Sequence, residues 1–387
     1  MDKEKRRLRL IKRRYRQEKL FRFLAMFAII LATSFLVFFL ADITRTGYSA
    51  FQQTEIQVDV TYNAETSKFT HLAVPKDYQR LISRGFLRLI PLEIKANPEL
   101  MNTTVKRWII ATAEVDQYMK DKVNRLKPDQ KAFVESLKAN GDVRMSFNTG
   151  FFTNGDSKLP EIAGIFSAVI GSVYVLLLTM LFSVPVGVMT AIYLEEFAPD
   201  NWFTRTIEVN INNLAAIPSI IFGLLGLAIF INFFGVPRSS ALAGGLTLAL
   251  MTLPVIIIST RAALRSVPDN IRQGAQGVGA SGWQVVWHHV LPLSLPGILT
   301  GSIIGLAQAM GETAPLLIIG MLAYIPEAPG GITEAATVLP AQIYTWSGTS
   351  LRAYTERTAL GIMVLLSVLL VLNACAVWIR NRFERKW

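Results

Sequence analysis

Cysteine is almost absent: the 387 residues contain one, Cys375, so no disulfide can form within the chain and a disulfide scaffold is excluded. Histidine numbers three. Two of them, His288 and His289, are adjacent and, on a helix, would point about 100° apart, a poor chelate. Charge is scarce at 17% of residues, against roughly 25% in soluble domains. Several stretches near twenty residues or longer carry no charge at all, which excludes both a disordered chain and an ordinary soluble catalyst. No Gly-x-x-x-x-Gly-Lys-Ser/Thr phosphate cradle occurs, and no nucleophile–base–acid set stands out.

What the chain does have is apolar length, with 51% hydrophobic residues, and one dense block of positive charge. Residues 1–22 hold eleven Lys or Arg against Asp2, Glu4 and Glu18, and so carry +8 of the net +11. A basic block before an apolar run marks a cytoplasmic N-terminus. It is drawn to anionic headgroups at roughly 1 kcal/mol per basic residue near the surface. RNA is the alternative partner for such a tail, but only Tyr15 interleaves it with an aromatic ring, and we expect no nucleic acid.

Six uncharged or nearly uncharged runs follow. The first transmembrane helix is expected at 23–41, an uncleaved anchor. Residues 42–161 are polar and mixed in charge and form an extracytoplasmic insert. Further spans are expected at 162–194, 214–237, 239–260, 290–323 (continuing past Glu312) and 358–379, with 195–213 and 261–289 as polar loops. Six spans bring both termini to the cytoplasm, and Arg380, Arg382, Arg385 and Lys386 in and before the 381–387 tail agree. The acidic loop 195–213 is a local exception, with Glu195, Glu196, Asp200 and Glu208 against Arg205.

Within the insert, Ile56, Val58, Val60 and Tyr62 alternate with polar residues, as in a strand. Residues 100–126 read as helix, with Val105, Trp108, Ile109, Thr112 and Val115 on a common face. The insert is therefore expected to be a small α+β domain.

The loop 261–292 carries the clearest local code. Ser266, Pro268 and Asp269 spell a helix start. Gly277, Gly279 and Gly282 break the chain into a turn. Trp283, Val286, Trp287 and Val290 would line one face of a second helix, ended by Pro292. The two tryptophans read either as groove-filling contacts or as an interfacial belt. In span five, Gly297, Gly301 and Gly305 read as close helix packing or as a hinge.

Gln273, Gly274, Ala275, Gly279, His289, Leu291 and Pro292 together resemble the EAA loop of ABC importer permeases: Ala275, Gly279 and Leu291-Pro292 fit its spacing, whereas Gln273, Gly274 and His289 stand where that pattern has Glu, Ala and Ile. In that family the loop is a coupling helix seated in a groove of an ATPase subunit, and Trp283 joins it here. The run Leu306-Ala307-Gln308-Ala309-Met310-Gly311-Glu312-Thr313-Ala314-Pro315-Leu316-Leu317 is similar to the fifth-span signature of phosphate transport permeases of the PstA type. The likeness covers 162–380. It implies an all-α integral membrane protein of the bacterial inner membrane, with a type I ABC-importer permease core of six transmembrane helices and the α+β insert added. It implies a non-catalytic subunit without cofactor, ATP being bound by a partner. The implied partners are an ATP-binding subunit, a second permease of the PstC type and an extracytoplasmic phosphate-binding protein. A permease for another oxyanion or small solute, and a membrane-anchored sensor, are the alternatives.

Glu312, with Gln308 one turn before it and Thr313 beside it, is the candidate pathway or gating group. A carboxylate within a span costs about 2.5–3.5 kcal/mol on insertion scales, so it faces a pathway or a partner. Related permeases carry an arginine where this chain has Gln308. The reading is therefore a basic partner on a neighbouring span; the alternative is a protonated Glu312 bonded between helices.

Overall fold

The structure, a computed structural model, describes residues 2–322 and 324–383; Arg385 and Lys386 lie outside the described residues. Helix α1, Asp2–Tyr48, is unbroken for 47 residues, about 70 Å at 1.5 Å per residue. Its apolar stretch is wholly exposed, as a lipid-facing span must be. It rests on the last long helix, where a Cβ on Gly47 would lie 2.7 Å from Met363 Sδ, so only glycine allows that approach.

The chain then enters the insert. Strand β1, Gln52–Tyr62, is the centre of a three-stranded antiparallel sheet in the order β2-β1-β3, with β2 at Thr103–Ile110 and β3 at Val143–Phe147. The expected alternation holds: Ile56, Val58, Val60 and Tyr62 are all essentially buried, each such apolar side chain worth roughly 1.5–3 kcal/mol. Helices α2, Arg84–Ala96, α3, Ala113–Met119, and α4, Pro128–Ala139, complete the insert. Ile90, Ile94, Val115, Val134 and Leu137 pack onto that sheet face. The helix expected over 100–126 is corrected: 103–110 pairs with β1, Val105 opposite Val60 and Ile109 opposite Ile56. Thr103, Thr104, Val105, Ile109 and Ile110 are β-branched, and this strand preference outweighs a helical spacing that fits by coincidence.

The membrane part follows. Helix α5 is Phe166–Ile192, α6 Trp202–Ala215, α7 Ser219–Phe233, α8 Ala241–Arg265, α9 Asp269–Gly277 and α10 Gly282–Gly311. The short α11, Ala314–Ile318, and α12, Leu339–Ser347, precede α13, Ala353–Phe383. Five helices are long and apolar enough to cross a membrane, and six spans result if the bent pair α6–α7 counts as one. Two expectations need correction here. The segment 195–213 is largely helix α6, and α6 meets α7 at a 104° bend, so the third span is a broken one. The fifth span does not continue through Glu312: α10 stops at Gly311, and Glu312 is extended (ψ 118°). Pro315 is the physical reason, since within an unbroken helix its ring would strike the carbonyl of Gly311.

The helices α5, α8 and α10 form the packed centre. Gly245 admits Leu178, and Gly301 admits Ser259, whose Oγ would lie 2.0 Å from a Cβ there. At Gly297 the obstacle is Ala263 at 2.6 Å, whereas Gly305 has no contact closer than 3.5 Å. The glycine repeat is therefore close packing of α10 on α8 at its first two positions. Cys375 is exposed on α13.

Candidate functional site

The loop 261–292 is built as two helices around a glycine turn, with corrections in detail. Helix α9 begins at Asp269 after Pro268, and Ser266 does not cap it; its hydroxyl donates back to Ala263 O at 2.7 Å. Gly279 has φ +92°, a left-handed backbone that glycine adopts without cost, and Ser281 then caps α10 through Gln284 N–H. Pro292 does not end the second helix. A wide π turn at Val286–Val290 leads through it without a break, because the looser turn absorbs the backbone bond that proline cannot make. The same turn separates the residues expected on one face. Val286 and Val290 are buried, while Trp283 and Trp287 are 59% and 53% exposed and stack on each other at 5.5 Å.

The exposed side of this region is continuous in kind: Gln273, Gly274, Val278 (88% exposed), Gly279, Trp283 and Trp287. Ala275 faces the other way, buried with Val285, Val290, Leu264 and Val267, while Leu291 is half-buried and Pro292 exposed. Two stacked, exposed indoles at the start of α10 are an apolar surface without a partner among the described residues.

What fixes this unit is ionic, and the sequence showed only half of it. The acids of 195–208, an exception to the charge rule, pair with the arginines of the loop. Arg261 donates to Glu195 (3.1 Å) and Glu208 (2.6 Å), and Arg265 to Glu195 (2.7 Å). Arg272 forms a two-pronged pair with Glu196, at 2.8 and 3.2 Å. It also donates to Leu264 O (2.9 Å), which accepts the Val267 N–H as well, and to Val267 O (2.6 Å), just past the end of α8. Glu196 beside it holds the guanidinium above its usual range. The loop is thus bound to the end of α5 and to α6 as one body, and a push on its exposed side reaches three long helices.

At the opposite end of α10, Gln308 is exposed on the last turn, and Glu312 and Thr313 are half-buried in the break that follows. The break sets Glu312 on extended backbone between α10 and α11, with Thr313 back in helical backbone at the start of α11, so Gln308 and Glu312 do not share a helix face as expected. Among the described residues, Glu312 has no ion-pair partner in this chain. Helix α11 packs against α7, with Gly223 seated on Pro315.

A third cluster escaped the sequence reading. Glu356 and Arg357, at the head of α13, are 4% and 7% exposed. Glu356 accepts from Gln117 (2.6 Å), Lys122 (2.7 Å) and Lys120 (3.3 Å) of the insert. Arg357 donates to Ala163 O and Glu161 O, and Asp156 accepts from Trp346 Nε1–H at 2.9 Å. The insert is therefore clamped to α12 and α13 through buried charge pairs. The only sequence sign was a pair of charges directly before an apolar run.

Residues 183–387 match the family model described as binding-protein-dependent transport system inner membrane component. Residues 9–71 and 66–129 match a domain of unknown function. The chain is 30% identical over 259 residues to the probable ABC transporter permease protein YqgI of Bacillus subtilis, covering 64% of this chain and 87% of that one. It is 31% identical to the phosphate transport system permease protein PstC of Pasteurella multocida, covering 62% and 82%. With PstA of Mycobacterium leprae it shares 35% identity over 42% of this chain and 53% of the relative. A solved methionine ABC transporter, MetNI, aligns with a TM-score of 0.44 at 20% identity, over 57% of this chain and 98% of that one. With over half its length matched by the family model and a relative covered nearly end to end, the chain belongs to the inner-membrane components of binding-protein-dependent transport systems, as a multi-pass, non-catalytic permease subunit of an ABC importer.

Proposed function

We propose that the solute is inorganic phosphate and that the pathway is formed with a second permease of the PstC type. The observation that carries this is the similarity to phosphate transport permeases of both PstC and PstA type. The Gly311–Leu317 signature, lying at the break between α10 and α11, supports it. ATP is bound and hydrolysed by a separate subunit that takes the exposed side of the loop, with Trp283 and Trp287 as its apolar anchors and Gly274 and Gly279 allowing close approach. An extracytoplasmic phosphate-binding protein delivers the solute on the insert side. The +8 tail puts the N-terminus in the cytoplasm, and with six spans the C-terminus joins it.

Alternating access is the mechanism that this packing supports. The ion-paired loop moves α5, α8 and α10 together, and the chain breaks at Glu312 and at the α6–α7 bend supply the places where two arrangements differ. Glu312 itself repels phosphate. Its role is to pair with a basic residue of the companion permease and so hold the closed state, with Gln308 and Thr313 beside it as polar lining. Replacing Glu312 with Gln keeps shape and hydrogen bonding and removes charge. Phosphate uptake into cells lacking their own importer should fall with assembly intact; unchanged uptake removes the ion pair from the account.

A further inference from the structure

Between the insert and the head of α13 lies an open cleft of about 760 Å³. Its lining is unlike the rest of the surface. Arg80, Arg84 and Arg125 face it from the insert, and Lys158 and Arg352 from the opposite wall. That second wall is tied to the membrane part: Arg352 directly precedes α13, and segment 156–161, the last stretch of the insert, is bonded to α12 and α13 through Asp156–Trp346, Ser157–Tyr354 and Glu161–Arg357. None of the five cations makes an ion pair among the described residues.

The two acids in the lining, set against its five cations, leave a net charge of +3 and pair with none of the five. Glu114 accepts the Arg125 backbone N–H at 2.5 Å, and Glu161 is buried and accepts from Ser83 Oγ at 2.9 Å. Lys158 has only the ring of Tyr324, 5.7 Å away. Five like charges on two walls of one cleft raise each other's energy and concentrate anions there. Arginine predominates, and its planar fork suits phosphate oxygens. The room exceeds what a single phosphate fills, and the charge exceeds what one neutralises.

We propose that this cleft binds a soluble multivalent phosphate anion, bridging Arg80, Arg84 and Arg125 on one wall to Lys158 and Arg352 on the other. The cleft shares no lining residue with the Glu312 break, so the proposal stands whichever solute crosses. Binding there fastens the insert to α13 across the seam that Glu356 already clamps.

The test is equilibrium dialysis of the full chain in detergent against radiolabelled tripolyphosphate, with inorganic phosphate as competitor, across a salt series. Saturable binding of one anion per chain is expected, weakening steeply with salt. The double variant Arg84→Glu with Arg352→Glu should bind at least tenfold more weakly. Both side chains are exposed and unpaired, so folding is preserved; Arg125→Gln with Lys158→Gln should give the same direction by charge removal alone. Absence of saturable binding overturns the proposal, and so does an affinity unchanged from the unaltered chain in both double variants. Repeating the measurement in nanodiscs with anionic lipid separates the sources of phosphate. Abolished binding there assigns the cleft to a headgroup and overturns the soluble-anion reading.

Discussion

Replacing Arg272 with Met removes the four hydrogen bonds that tie the loop to Glu196, Leu264 O and Val267 O. The apolar stem is conserved; the fork is not. Glu196 has a side chain only 9% exposed and pairs with no other cation among the described residues. Breaking one side of such a pair leaves a nearly buried carboxylate, at a cost of about 3–5 kcal/mol. The Val267 carbonyl, left without its donor, adds roughly 1 kcal/mol, whereas Leu264 O keeps the Val267 N–H. The double variant Arg272→Met with Glu196→Met loses the pair without stranding a charge, so only the carbonyl part should remain, about 1 kcal/mol. The single variant is then about 3–5 kcal/mol worse than the double, so the coupling between the positions is at least about 3 kcal/mol, or upwards of roughly 150-fold in an opening equilibrium. Amide exchange read by mass spectrometry over 193–208 and 266–280 measures that opening directly. Protection should collapse in the single variant and largely return in the double. A cycle whose terms add, with coupling within about 0.5 kcal/mol of zero, refutes the claim that this pair fixes the loop.

Substituting Gly279 with Val forces a β-branched residue to φ +92° in otherwise open space. The strain is roughly 1–2 kcal/mol; the subunit should still be made, but ATP hydrolysis should proceed without transport in reconstituted vesicles. Gly301→Ala places a Cβ 2.0 Å from Ser259 Oγ and should lower thermal stability in detergent by several degrees, with Ser259→Gly restoring it, while Gly305→Ala, with 3.5 Å to spare, should change little. In the insert, burial and the Glu93 carboxylate accepting its hydroxyl at 2.9 Å push Tyr62 up to about 12. A phenol protonated more tightly in the folded state stabilises the insert fully below pH about 10 and ceases to as pH rises towards 12. Tyr62→Phe should remove the tyrosinate absorbance component that titrates near 12.

Much of this architecture was legible because apolar length and alternation are direct consequences of burial. The runs at 23–41, 239–260 and 358–379 had no reading other than helix, and Ile56, Val58, Val60 and Tyr62 none other than strand. Val105, Trp108 and Ile109 satisfy a helical spacing while their pairing partners lie about fifty residues earlier, invisible to a local pattern. Helix α6 was read as loop because its charges serve Arg261, a contact across 53 residues. The stop at Glu312 did have a signal, in Pro315, whereas Pro292 is passed by a π turn that no residue type announces. The charge exception at 195–208 was the most useful misfit, since its explanation is the ionic frame of the loop.

The central claim is that this chain, with its partners, moves phosphate at the expense of ATP. The direct measurement is accumulation of radiolabelled phosphate in liposomes containing this chain, a companion permease and their ATPase, with phosphate-loaded binding protein and ATP on opposite sides of the bilayer. The account predicts uptake that requires ATP and all four components and falls when Glu312 is replaced with Gln. ATP hydrolysis stimulated by the binding protein with no phosphate crossing, or with a different oxyanion crossing in its place, contradicts it.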